Sequence, residues 1–337
     1  MLFFLNFLLT VTVVSSTNKG ICEADLADHL NRVQTSFIAK SNAANHKFKV
    51  MDPIFSNSKK DVNVPVRSSV LASLPSSFDS RVKWPNCASI QLIRDQSNCG
   101  ACWAFASAEV ISDRTCIESN GAQQPIISTE DILTCCGEMC GWGCRGGYIP
   151  KAFDMWVTKG VVTGGDFGGA GCKPYSFAPC SNCASSETTP LCSETCQSSY
   201  ATEYPKDKLI GDSFYYISSE VAAIQSEILT NGPIAASFDV YEDFYCYTSG
   251  IYKHTSGGYL GGHAVKIIGW GSEDGKDYWL ITNSWGEDFG ENGFFRMIRG
   301  TNDCKIEENL VAGLAKKGFA GANGLTLCII VVLGYFL

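Results

Sequence analysis

The chain opens on an apolar run, "MLFFLNFLLTVTVV", and closes on another, "LTLCIIVVLGYFL", with three different hydropathy patterns between them. The opening run is short and ends in small residues, Val14 and Ser16, spaced as at a signal-peptidase site. Residues 1–16 therefore read as a signal peptide, although no positive charge precedes the run. Residues 17–73 are polar and cysteine-poor, and "ADLADHLNRVQTSFIAK" carries apolar side chains at mixed helical spacing. This stretch reads as a pro-segment. From "LPSSFDSRVKWPNC" onward Gly, Trp and Cys take over, so the main domain begins near Leu74.

Inside that domain Ala101, Ala104, Phe105, Ala108 and Ile111 recur at helical spacing, which predicts a buried helix starting near Cys102. Downstream, "GHAVKIIGWG" and "KDYWLITNSWG" are apolar and β-branched, with "EDG" as a turn between them, which predicts a β-hairpin. Residues 172–200 read as a long disulfide-laced loop. The closing run, residues 315–337, leaves three readings open: a membrane span, a lipid-anchor signal or a removed extension. Small residues at Ala320, Gly321 and Ala322 suit an anchor, but a polar spacer is nearly missing. A span would leave Lys316 and Lys317 on the side that the usual charge bias disfavours.

Composition narrows the class. A length of 337 residues suits one large or two small domains. A formal charge of −8 argues against nucleic acid as a partner. Seventeen cysteines point to an oxidising compartment.

The stretch "SNCGACWAFAS" sets Cys99 and Cys102 three positions apart. A redox dithiol would need both sulfurs free for each other, whereas a nucleophile needs one alone. Composition does not choose between them. Cys102 does fall in the first turn of the predicted helix, where free N–H groups and the helix dipole favour a thiolate. Such a thiolate attacks once a base charges and orients it. Of four histidines, His29 and His46 lie in the pro-segment, leaving His254 and His263. Folding the hairpin about Asp274–Gly275 brings His263 near Asn283, within a small register slip, and the Asn carbonyl can orient the imidazole. Trp285 would shield that bond. His254 has no such partner and reads as a surface or loop residue.

With Gln96 upstream and glycines around each member, the chain resembles the papain-like cysteine proteases, and within them the cathepsin B type. The resemblance runs from about Leu74 to Leu314 through "LPSSFDSR", "DQSNCGACWAFAS", "CRGGYIPKAF", "GCKPYSFAPC", "GGHAVKIIGWG" and "YWLITNSWGEDFGENGFF". It implies an α+β, papain-like two-lobe fold, with a helical left lobe, a β-barrel-like right lobe and a cleft between them. Cys102 would be the nucleophile, His263 the base and later acid, and Asn283 the orienting amide. Gln96 and the Cys102 backbone N–H would form the oxyanion hole, and Gly146 and Gly147 would line the substrate cleft. The implied disulfides are Cys99–Cys144, Cys87–Cys116, Cys135–Cys192, Cys136–Cys140, Cys172–Cys196 and Cys180–Cys183. The chemistry is acyl transfer from peptide or protein substrates by a thiolate–imidazolium pair, whose thiol in this family titrates at about 3–4. No metal or cofactor is required, the pro-segment would act as inhibitor, and the enzyme would be a monomer.

The sequence departs from that family at three places. Only Ser181 and Asn182 separate Cys180 from Cys183, so the occluding loop and its paired histidines are missing. An endopeptidase with little carboxydipeptidase activity is expected. Asn309 stands where an acidic residue would meet the second residue before the cleaved bond, which favours neutral apolar residues there; Glu308 is adjacent and could swing in. No Asn-x-Ser/Thr acceptor occurs, so glycan-directed lysosomal delivery has no support. Secretion, a digestive vacuole and membrane display stay open. Cys246 and Cys304 have no evident partners, and a bond between them stays open too. Two rival readings, a disulfide oxidoreductase and a non-catalytic binding protein on the same fold, fit less of the chain.

Overall fold

A computed structural model describes residues 22–42, 48–56, 60–61, 63–180 and 186–316. The leader, His46, Cys183 and residues 317–337 of the tail lie outside them. The helices are α1 (Ala24–Val33), α2 (Ser80–Lys83), α3 (Cys102–Glu118), α4 (Thr129–Cys135), α5 (Ile149–Thr158) and α6 (Val221–Asn231). The strands are β1 (Phe37–Ala39), β2 (Val66–Arg67), β3 (Phe78–Asp79), β4 (Gly211–Ile217), β5 (Ile234–Tyr241), β6 (Tyr247–Tyr252), β7 (Tyr259–Glu273), β8 (Lys276–Thr282), β9 (Phe294–Ile298) and β10 (Asn309–Ala315). They form one sheet in the order β1-β6-β9-β8-β7-β5-β10-β4-β2, with β3 beside β7. That path is open, so the right lobe is a curved sheet rather than a closed barrel.

Helix α3 begins at Cys102, as its spacing predicts, and every residue from Cys102 to Cys116 is buried. Its polar side chains turn to the helix backbone or to charges of the other lobe. The hydroxyls of Ser107, Ser112 and Thr115 each return 2.7 Å to the carbonyl four residues back. Glu109 and Asp113 lie 3.7 and 3.0 Å from Lys266 of β7, and Arg114 lies 2.9 Å from Glu227 of α6. These buried charges pin the helical lobe to the sheet lobe in one register. Removing one partner would leave another stranded away from water.

The predicted hairpin is β7–β8. Asp274 and Gly275 both take positive φ, 51° and 73°, the type I′ geometry whose twist suits two strands. A register shift between Ile267 and Gly269 then sets Lys266 opposite Thr282. Carried on, that register puts 263 opposite 285, two residues beyond the expected Asn283. Asn283 instead lies past the end of β8, its N–H bonded to Gly293, and reaches His263 diagonally.

The pro-segment is folded. Cys22, Ala27, Leu30 and Phe37 are buried in the core of the sheet lobe, and β1 pairs antiparallel with β6. Cys22 is bonded to Cys246, which overturns a Cys246–Cys304 bond; Cys304 is a free thiol. The partner was invisible because 224 residues separate the two cysteines, and only docking of the N-terminal arm brings them together. Five of the expected pairs form: Cys87–Cys116, Cys99–Cys144, Cys135–Cys192, Cys136–Cys140 and Cys172–Cys196. The sixth, Cys180–Cys183, involves a residue outside the described ones. Among the described residues no helix is long and apolar enough to cross a membrane.

Candidate active site

The site is assembled where the first turn of α3 meets β7. Cys102 has no side-chain cap ahead of it, so the turn's N–H groups stay free to point at the sulfur. The backbone amides of Ala264 on β7, of Trp103 and of Cys102 itself lie near enough to Sγ to favour its thiolate. Ala264 follows His263 in sequence, so the contact brings the imidazole's own strand against the thiol. Cys99 is locked to Cys144, which rules out a Cys99–Cys102 redox pair.

His263 Nε2 lies 2.7 Å from Asn283 Oδ1, while Nδ1 is buried with no hydrogen-bond partner. The ring stacks on Trp285 with centroids 4.4 Å apart. Sequence position alone had suggested this shield. Gln96 is held by Ser284, whose hydroxyl donates to Oε1 at 2.7 Å, and its Nε2 points to the carbonyls of Cys99 (2.7 Å) and Lys49 (2.8 Å). His254 stands apart from this group, in a loop, 3.0 Å from the Asp243 carboxylate and stacked on Tyr241.

Residues 48–56 of the pro-segment lie across these groups. Phe48 stacks on Trp285 at 4.8 Å, and its carbonyl accepts from the Tyr245 hydroxyl at 3.0 Å. Met51 N–H donates to Gly262 and Asp52 N–H to Arg145, at 2.9 and 2.8 Å. Asp52 also pairs with the Arg145 guanidinium at 2.6 Å. Phe55 meets Trp142 and Tyr148 edge-on at 5.3 and 5.1 Å. A Cβ on Gly146 would sit 2.5 Å from Phe55 and 2.8 Å from Met51, so that glycine makes room for a chain in the cleft. Gly147 has a different constraint, since a Cβ there would strike the Trp103 ring at 2.6 Å. Asn309 lines a small cavity with Lys60, Gly147, Tyr148 and Tyr216, and Glu308 accepts from the Asn302 amide at 2.7 Å while its charge still acts on Lys60.

Burial in this form shifts both groups of the pair toward their uncharged states. Desolvation pushes the Cys102 thiol up to about 12 against the opposing pull of its three amides, and pushes His263 down to about 4 against the Asn283 hydrogen bond. Both shifts favour a neutral thiol and a neutral imidazole in this form. Of the residues the sequence singles out, His263 is bonded to Asn283, and Cys102 and Gln96 lie beside them; the Ala264 amide, the Ser284 brace and Arg145 were not among those residues. Backbone donors carry no sequence signal, and Arg145 gains its meaning only from Asp52.

Residues 74–314 match the family described as papain family cysteine protease. Cathepsin B-like cysteine proteinase 3 of Caenorhabditis elegans is 54% identical over 334 residues, spanning 92% of this chain and 90% of its own. A gut-specific cysteine proteinase of the same nematode is 55% identical over 297 residues, spanning 86% and 90%. Among solved structures, procathepsin B S9 from Trypanosoma congolense matches with a TM-score of 0.75 at 32% identity, over 87% of this chain and 98% of that one. The chain belongs to the papain family of cysteine proteases. Within that family it is cathepsin B-like, and it is folded as a proenzyme.

Proposed function

We propose that this chain is the zymogen of a cysteine endopeptidase. One observation carries the reading. The amide Nε2 of Gln96 donates to a peptide carbonyl of the pro-segment, that of Lys49, and the bonded His263–Asn283 pair stands ready beside it. A substrate carbonyl in that position would have a nucleophile beneath it and a donor at its oxygen. Once the plug leaves and water enters, Cys102 passes its proton to His263 Nδ1, the ring nitrogen that Asn283 leaves free. The thiolate attacks the carbonyl carbon, and Gln96 with the Cys102 N–H takes the developing charge, each such donor supplying about 3 kcal/mol. His263 then protonates the leaving amine and activates water to release the acyl group.

Substrates are peptides or proteins, and the chain's own residues 48–56 act as inhibitor. Beside Trp285 lies a cavity of about 410 Å³ bounded by Ile93, Phe177 and Pro179. Only two residues lie between Cys180 and Cys183, too few to carry a C-terminal clamp between those cysteines. That supports cleavage within chains over dipeptide removal. No acidic side chain lines the cavity at Asn309, which supports neutral apolar residues as the second before the cleaved bond, although the pro-segment's own Lys60 lines it within the field of Glu308. The disulfides, and relatives that include a gut-specific proteinase, favour the secretory route and a digestive or lysosome-like compartment.

The test is a pair of fluorogenic peptides differing only in a free or amidated C-terminus, offered to the processed enzyme. Comparable kcat/KM for the two is expected. A preference of tenfold or more for the free acid refutes the endopeptidase reading.

A further inference from the structure

The disulfide between Cys22 and Cys246 crosses the boundary between pro-segment and enzyme. Cys22 lies ahead of the family match at residue 74 and Cys246 lies inside it, whereas the other five described disulfides have both ends within residues 87–196. The bond is set in a docked arm. Ser36 accepts from Ile251 N–H at 2.6 Å, Lys40 donates to the Cys246 carbonyl at 2.8 Å, and the Asn42 amide donates to the Tyr245 carbonyl at 3.2 Å. Tyr245 in turn holds the Phe48 carbonyl in the cleft. Residues 68–73, between plug and enzyme, are exposed and outside any helix or strand, so they offer the place to cut.

We propose that Cys22–Cys246 is a redox latch: cutting the 68–73 linker leaves the inhibitory segment covalently attached, and the enzyme is released only when a low-molecular-weight thiol reduces this bond. The inference rests on the protease reading above. A tethered segment rebinds at the millimolar effective concentration typical of short links, so the cleft stays filled after cleavage, however dilute the protein. The chemistry balances with two thiols. The first, as thiolate, attacks one sulfur and expels the other, forming a mixed disulfide. The second resolves it, leaving Cys22 and Cys246 as thiols and the reductant as its own disulfide. Both cysteines are fully buried, so the arm must first undock for a thiol to reach the bond. Release thus requires a cut and a reductant together. The same reductant keeps Cys102 competent, so inhibitor release and nucleophile maintenance answer to one condition.

The test compares the full-length wild type with Cys22→Ser, whose processed domain is unchanged. Both are nicked in the linker by a trace of added protease in thiol-free buffer, diluted, and labelled at Cys102 with an epoxide reagent. Wild type is expected to label about 100-fold or more slowly than Cys22→Ser. Dithiothreitol should abolish the difference. Intact mass should show the pro-fragment retained before reduction and lost after it. Equal labelling without thiol, or loss of the fragment without reduction, overturns the latch. Should Cys22→Ser not accumulate folded, the wild-type mass before and after reduction decides alone, with Cys246→Ser as the second labelling comparison. Failure of every form to label, even after reduction and removal of the fragment, overturns the protease reading instead.

Discussion

Removing the pro-segment should change the reactivity of Cys102 by a calculable amount. In the zymogen the thiol sits at about 12, so at pH 6 only about one molecule in 10⁶ carries a thiolate. Opened and paired with His263, it would fall to the 3–4 range of such pairs and be almost wholly ionised. The gain in thiolate is therefore about 10⁶-fold. Against it, a less basic thiolate is a weaker nucleophile. With a Brønsted slope of about 0.45 over a fall of about 8 in pKa, that costs about 10³- to 10⁴-fold. Ionisation wins by about 10²- to 10³-fold, and access adds to it, since Cys102 is fully buried in the zymogen. The assay is carboxamidomethylation by iodoacetamide from pH 4 to 9, read by peptide mapping at Cys102. The processed enzyme should label at a nearly constant rate through the acid range. The zymogen should gain about tenfold per pH unit with no acid plateau above pH 5, because its thiol stays largely protonated and His263, at about 4, has lost most of its proton by then. An acid plateau in the zymogen would mean that the ion pair already exists under the plug, and the account of latency would be wrong.

Two further outcomes follow from other parts of the structure. Asn309→Glu should raise kcat/KM about fivefold for arginine over phenylalanine as the second residue before the cleaved bond, the worth of about 1 kcal/mol for a partly exposed ion pair; an unchanged ratio in a peptide scan would remove Asn309 from that pocket. Glu109, buried near Lys266, Arg94 and the carboxylates of Asp113 and Asp166, is pushed up to about 7 by desolvation. A raised carboxyl stabilises the fold fully below its ordinary 4.5 and loses that contribution as pH rises through 7, a fall on the order of 3 kcal/mol. Urea unfolding at pH 4.5, 6 and 8 should show this decline, and Glu109→Gln should flatten it; equal slopes for both proteins would place the titration elsewhere.

Much of this site is legible in one dimension because its chemistry is local. A cysteine at a helix start and a histidine and an asparagine on either side of an Asp-Gly turn are readable from spacing, since periodicity and turn chemistry act over a few residues; the glutamine six residues upstream gains its meaning only from the family resemblance. The hairpin was legible and its register was not. The shift near Ile268 changes which residue faces His263, and such a bulge reflects packing across the sheet.

What the sequence alone determined is the inventory: which sulfur stands at the helix start, which imidazole has an amide to hold it, and that the domain begins near Leu74. What tertiary structure decided is everything that depends on partners distant in the chain. The union of Cys22 with Cys246, the Lys49 carbonyl on Gln96 and the Asp52–Arg145 pair all arise from docking the N-terminal arm on the two lobes, and the shifts of Cys102 and His263 arise from burial in the folded whole. Side-chain identity sets what each group can do. Burial, which no local stretch encodes, sets the charge it carries.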